Sequence, residues 1–128
     1  MEITWYGHAA FAVKCGGKHL LLDPFLDENP LSPVKADQVR ADFILVTHGH
    51  GDHLGDAEAI ARRTGATVIS VAEIARWLEK RGVRAYAMHI GGAHAFPFGT
   101  LKLTFALHGS SLPDGAYGGN PCGFLLTE

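Results

Sequence analysis

The chain has 128 residues, 47% of them hydrophobic and 19% charged, and a net charge of −2 with its histidines neutral. That length favours a single domain, residues 1–128, with a buried core, and the charge balance offers no basic footprint for nucleic acid. No stretch reaches the ~18 apolar residues of a membrane span, and MEITWYGHAAFAV lacks the basic and apolar regions of a secretion signal.

Taken in chain order, residues 2–6 and 10–14 alternate or run apolar and predict two strands, with Gly7-His8 between them. Gly16-Gly17 marks a hairpin into a third strand that ends at Asp23-Pro24. A proline-bearing loop follows, with one helical turn near 36–40. Residues 43–46, FILV, form a short apolar run suited to a strand buried on both faces. THGHGDH comes next. Leu54, Ala57, Ile60 and Ala61 then fall at helical spacing up to Gly65. Residues 67–70 predict another strand. Ser70 and Glu73 form a capping-box pattern ahead of a helix whose face carries Ile74, Trp77 and Leu78. A strand near 84–88, a hairpin around Gly99 and a strand from 122 complete the series. This order predicts a mixed α/β fold with helices over one face of a sheet.

His48-Gly49-His50-Gly51-Asp52-His53 puts three imidazoles and a carboxylate in six residues. Histidine is the commonest neutral metal ligand. In an extended loop, residues two apart project to the same side, so His48 and His50 can reach one ion. Asp52 and His53 open a helix, aim differently and can serve a second. Gly49 and Gly51 are expected to keep side chains away from the ligands and to allow unusual backbone angles. The cluster follows a buried strand, where α/β folds place their ligands.

H-x-H-x-D-H after a buried strand is the signature of the metallo-β-lactamase superfamily, which this chain resembles. MEITWYGHAAFAV, LLDPFLDENP, ILVTHGHGDHLGDA and GGNPCGF look like its bacterial metal-dependent hydrolase branch, related to the ascorbate-phosphate lactonases. The resemblance implies an αββα sandwich, of which this chain reads as about the N-terminal half. It implies that His48 and His50 bind a first metal, joined by a histidine after a later strand, and His108 fits that place. Asp52 and His53 would bind the second metal, and Asp52 would also orient the attacking water and take its proton as the catalytic carboxylate. Three histidines and a water make an open catalytic site. Zinc suits it best, and Mn, Fe and Ni also accept such donors. The implied activity is attack by a metal-bound hydroxide on an ester, lactone or phosphoester of a small molecule.

The resemblance also implies a second half that supplies a bridging aspartate and a final histidine. After His108 the chain offers only Asp114 and Glu128 as acids, and no histidine. The second position therefore keeps only Asp52 and His53 in this reading. The chain reads as truncated, cleaved or naturally short, and a lone half leaves apolar surface that favours self-association or pairing with a complementary C-terminal segment. The alternative function is then an inactive metal-binding half-domain. His8 reads as a substrate or supporting group, or as a plain turn histidine. Asp23 reads as the group that orients a ligand histidine, or as a turn carboxylate. Ser110 and Ser111 suit a turn more than a substrate oxygen, and His19, His89 and His94 read as surface residues. Cys15 and Cys122 have no CxxC partner and read as reduced thiols of a cytoplasmic protein.

Overall fold

The computed structural model describes residues 1–128. Strands β1 (Glu2–Trp5), β2 (Phe11–Cys15), β3 (Lys18–Leu22), β4 (Phe43–Leu45), β5 (Thr67–Val71) and β6 (Ala85–Met88) form one six-stranded sheet in chain order. The first two pairings are antiparallel and the other three parallel. The β2–β3 hairpin turns on Gly16 and Gly17, whose φ of 54° and 74° suit the twist of the flanking strands. Strands β7 (Ala93–Phe96), β8 (Gly99–Phe105) and β9 (Cys122–Thr127) form a second, antiparallel sheet.

Strand period two sorts the side chains into layers. On the first sheet Ile3, Val13, Leu20 and Phe43 lie in one cross-strand row. Phe43 meets Phe98 of the second sheet, with ring centroids 4.8 Å apart. Ile44 and Val68 project to the opposite face and are fully buried there. Helices α2 (Ala57–Thr64) and α3 (Ala72–Lys80) pack on β5 and cover that face. On β8, Leu101 and Leu103 are fully buried and Lys102 is exposed. Each such leucine stabilises the fold by ~1.5–3 kcal/mol, which fixes the register of the second sheet. The mixed α/β order and the placement of the helices agree with the sequence reading.

Two local expectations are corrected. The helix expected from Leu54 is two helices, α1 (Gly51–Leu54) and α2, broken at Gly55-Asp56. The Ser70–Glu73 capping box does not form. Ser70 is a buried residue of β5 whose hydroxyl donates to the Val46 carbonyl at 2.7 Å, and α3 begins at Ala72 without a side-chain cap. A buried hydroxyl takes an available carbonyl before it takes a cap, because leaving that bond unmade costs more. Trp77 is half-buried and packs against the core on the helical face read from the sequence. Its indole N–H donates to Asp114 at 2.9 Å while Ile74 and Leu78 fill the core.

The layer between the sheets is not covered everywhere. Ile3 and Trp5 on β1 are 62% and 58% exposed on the face that elsewhere meets the second sheet. Phe105, in phase with Leu101 and Leu103, is 64% exposed.

Candidate metal centre

The site gathers at the carboxyl ends of β3 and β4, with one contribution from the end of β8. Beyond β3, Asp23 adopts a φ of +41° and is buried. Its backbone N–H donates to the Leu45 carbonyl, so the turn stays stitched to β4. The carboxylate then accepts three bonds. Oδ1 takes the Thr47 N–H at 2.8 Å, and Oδ2 takes the Thr47 hydroxyl at 2.6 Å and His53 Nδ1 at 2.8 Å. Asp23 therefore fixes the orientation of the His53 ring.

His48 leaves β4 buried, with Nδ1 2.8 Å from the Thr47 hydroxyl. His50 is the residue before α1, and its carbonyl accepts the amides of His53 and Leu54. His108 follows β8 in an exposed loop. The His48 and His50 ring centroids lie 4.7 Å apart, and those of His108 lie 4.9 Å from His48 and 5.1 Å from His50. One nitrogen of each ring comes within 4.8 Å of the others. A second set, His8, Asp52 and His53, converges to the same limit. His8 sits at φ +53° in the β1–β2 turn, with Nε2 3.2 Å from Asp52 Oδ2. The turn thus brings His8 beside Asp52 and His53, a third donor atom within reach of that pair.

Two observations test whether these residues fit a metal. His48 Nε2 is buried and has no hydrogen-bond partner, an arrangement proteins rarely leave without a purpose. The donors are imidazoles and a carboxylate, the set that divalent transition metals accept. The donor sets fit such an ion.

Burial pushes His48 down to about 4, helped by the nearby His53 imidazole, so the ring is neutral at pH 7. The hydrogen bond to Asp23 outweighs burial at His53 and raises that ring above the usual histidine value. Partial burial pushes the Asp52 carboxyl up, but the His53 and His8 imidazoles and a backbone hydrogen bond hold it below its usual range.

The glycine expectation is corrected. A Cβ on Gly49 would meet the Leu112 side chain at 3.0 Å, and one on Gly51 would meet nothing within 4 Å. Neither glycine has a positive φ. Gly49 serves packing, not ligand clearance. The hydroxyl of Ser110 accepts the Gly49 N–H at 3.0 Å and reaches the Gly118 carbonyl at 3.2 Å, so it clamps loops together. Asp114 is occupied by Trp77 and the Ala116 amide. His19, His89 and His94 join none of the donor sets. Sequence reasoning passed over Thr47, which touches both Asp23 and His48. The only signal was a hydroxyl placed directly before the first histidine of the motif.

A sequence model of the metallo-beta-lactamase superfamily matches residues 3–121. A metal-dependent hydrolase of Carboxydothermus hydrogenoformans is 54% identical over 99% of this chain and 57% of its own length. One of Heliobacterium modesticaldum is 52% identical over 99% of this chain and 55% of its own length. The chain thus spans about half the length of the curated relatives it matches. A solved metallo hydrolase from the archaeon Ignicoccus hospitalis superposes with a TM-score of 0.85 at 34% identity, over 98% of this chain and 55% of that one. With the motif matched from strand to helix, the chain belongs to the metallo-beta-lactamase superfamily.

Proposed function

We propose that the protein is a metal-dependent hydrolase acting on an ester, lactone or phosphoester of a small molecule. The observation that carries this reading is the convergence of the His48, His50 and His108 rings, together with the bare, buried Nε2 of His48. These three would hold the first ion. Asp52 and His53 would hold the second, with His8 as a third donor within reach. Zinc fits three imidazole donors best. When bound, such an ion supplies a water acidified toward pKa ~7 and a charge that polarises the substrate oxygen. Asp52 would then act as the proton acceptor. Its carboxyl is 54% exposed, ionised at neutral pH, and held by His8 through Oδ2, which leaves Oδ1 for the water. We place the protein in the cytoplasm on its two free cysteines. No helix is long and apolar enough to cross a membrane.

A second reading is a metal-binding half-domain that turns over only with a complementary segment. The exposed Ile3, Trp5 and Phe105 favour it, because they lie on faces that elsewhere in the molecule are packed between sheets. Such apolar surface drives association. At high concentration the chain alone should therefore elute from size exclusion as a dimer or larger species. A strictly monomeric profile at every concentration tells against an apolar docking face.

The functional test loads the chain with zinc, manganese, iron(II) or nickel and offers generic lactone, ester, thioester and phosphodiester substrates. Turnover that a chelator abolishes is the expected result. Turnover that begins only when the C-terminal half of a relative is added supports the half-domain. Absence of turnover in both arrangements, with metal bound, overturns the hydrolase reading.

A further inference from the structure

Resting on the metal-site reading above, we infer that Thr47 is a positioning residue whose hydroxyl fixes the tautomer of His48, so that Asp23 aims one imidazole of each metal position. The argument is a count of protons. The Thr47 hydroxyl has one proton and sits between two partners, Asp23 Oδ2 at 2.6 Å and His48 Nδ1 at 2.8 Å. A carboxylate oxygen only accepts. Asp23 Oδ2 also receives His53 Nδ1, and Oδ1 receives the Thr47 amide, so all three contacts use the carboxylate as acceptor. The hydroxyl proton is therefore committed to Asp23. The remaining bond closes only if His48 Nδ1 carries the hydrogen and donates to Thr47.

That assignment leaves a lone pair on His48 Nε2, the atom that is buried without a partner beside His50 and His108. The same logic applied to His53 puts its hydrogen on Nδ1, toward Asp23, and its lone pair on Nε2, toward Asp52 Oδ1 at 4.0 Å. His48 belongs to the first donor set and His53 to the second. One carboxylate thus presets both, directly at His53 and through the threonine at His48. The order carboxylate, hydroxyl, imidazole means that the buried Asp23 carboxylate decides, through Thr47, which ring nitrogen His48 leaves free. Partners of this kind orient a ligand ring before the metal arrives.

The test uses nitrogen NMR of the histidine rings in metal-free protein, alongside zinc competition titrations. Wild type should show His48 with its hydrogen on Nδ1. Thr47→Val keeps the branched shape, the amide bond to Asp23 and the carbonyl bond from the Cys122 N–H, but removes the hydroxyl, so the His48 signal should shift toward a mixture of tautomers. Zinc affinity at the first position should fall by ~10–100-fold. Thr47→Ser should restore both readouts. A wild-type His48 with its hydrogen on Nε2, or a folded Thr47→Val with unchanged tautomer and zinc affinity, overturns the inference. If Thr47→Val does not fold, the wild-type tautomer and the serine variant still decide it. Wild type that binds no zinc through His48 would sink the metal reading alone, since the tautomer is read without metal.

Discussion

Alanine at His50 or at His108 should lower zinc affinity at the first position by more than ~100-fold, beyond the ~10–100-fold that loss of a supporting partner costs. Each residue contributes one of three converging nitrogens, and removing a donor outweighs loosening one. Neither change should unfold the chain. His108 is exposed, and His50 supports α1 through its backbone carbonyl with no side-chain cap bond. A competition titration with a coloured chelator measures the affinity, and circular dichroism checks the fold. His89→Ala serves as the control, since that ring is exposed and joins no donor set. Zinc binding at wild-type strength in either variant removes that residue from the site.

Gly55→Ala should be the most destabilising single methyl group near the site, by about 3 kcal/mol or more. Gly55 ends α1 at φ 48° and ψ −124°, where an L side chain is strained, and such strain alone costs ~1–3 kcal/mol. The added Cβ would also lie 2.6 Å from Phe25 Cα and 2.7 Å from both Phe25 N and the Pro24 carbonyl oxygen. These are backbone atoms of a loop stitched to this corner. Asp56 N–H donates to the Pro24 carbonyl, and Asp56 Oδ2 accepts the amides of Leu26 and Asp27. The loop cannot retreat without breaking those bonds. A melting temperature lower by roughly 10 °C is the expected readout for a domain of this size. Gly51→Ala is the contrast. It has open space and ordinary backbone angles, so its melting point should stay close to wild type. A large drop at Gly51, or none at Gly55, would refute the geometric account.

The strands were legible from the sequence because alternation and short apolar runs are local signals. HxHxDH was legible for the same reason, as its ligands are sequence neighbours. His108 was reachable only through family resemblance, since nothing local ties it to His48, sixty residues earlier. The role of His8 needed the fold, because the β1–β2 turn reaches Asp52 across forty-four residues of chain. Asp23 showed a strand end but not its three bonds, and Thr47 showed only a hydroxyl beside the motif, not the two partners it bridges. The errors were also physical. Ser70 and Glu73 matched a cap in spacing, but burial claimed the hydroxyl for Val46. The helix read through Gly55 because apolar period alone does not register a helix break where the backbone takes a positive φ.

The first donor set draws on both sheets. His48 and His50 leave β4 of the six-stranded sheet, and His108 leaves β8 of the other. An ion gripped by all three would act as a rivet between layers otherwise joined at that end by apolar packing and by the bonds from the Gly49 N–H to the Ser110 hydroxyl and from the Cys122 N–H to the Thr47 carbonyl. Folding and metal supply then become one equilibrium. Any ligand that binds only the folded form adds RT ln(1 + [L]/Kd) to stability, about 4 kcal/mol at a thousandfold excess over Kd. His48, His50 and His53 are close enough in sequence to catch an ion in the unfolded chain, which subtracts from that gain. His108 is the ligand that makes the ion report on sheet-to-sheet assembly, so the durability of the fold would track the free metal around it.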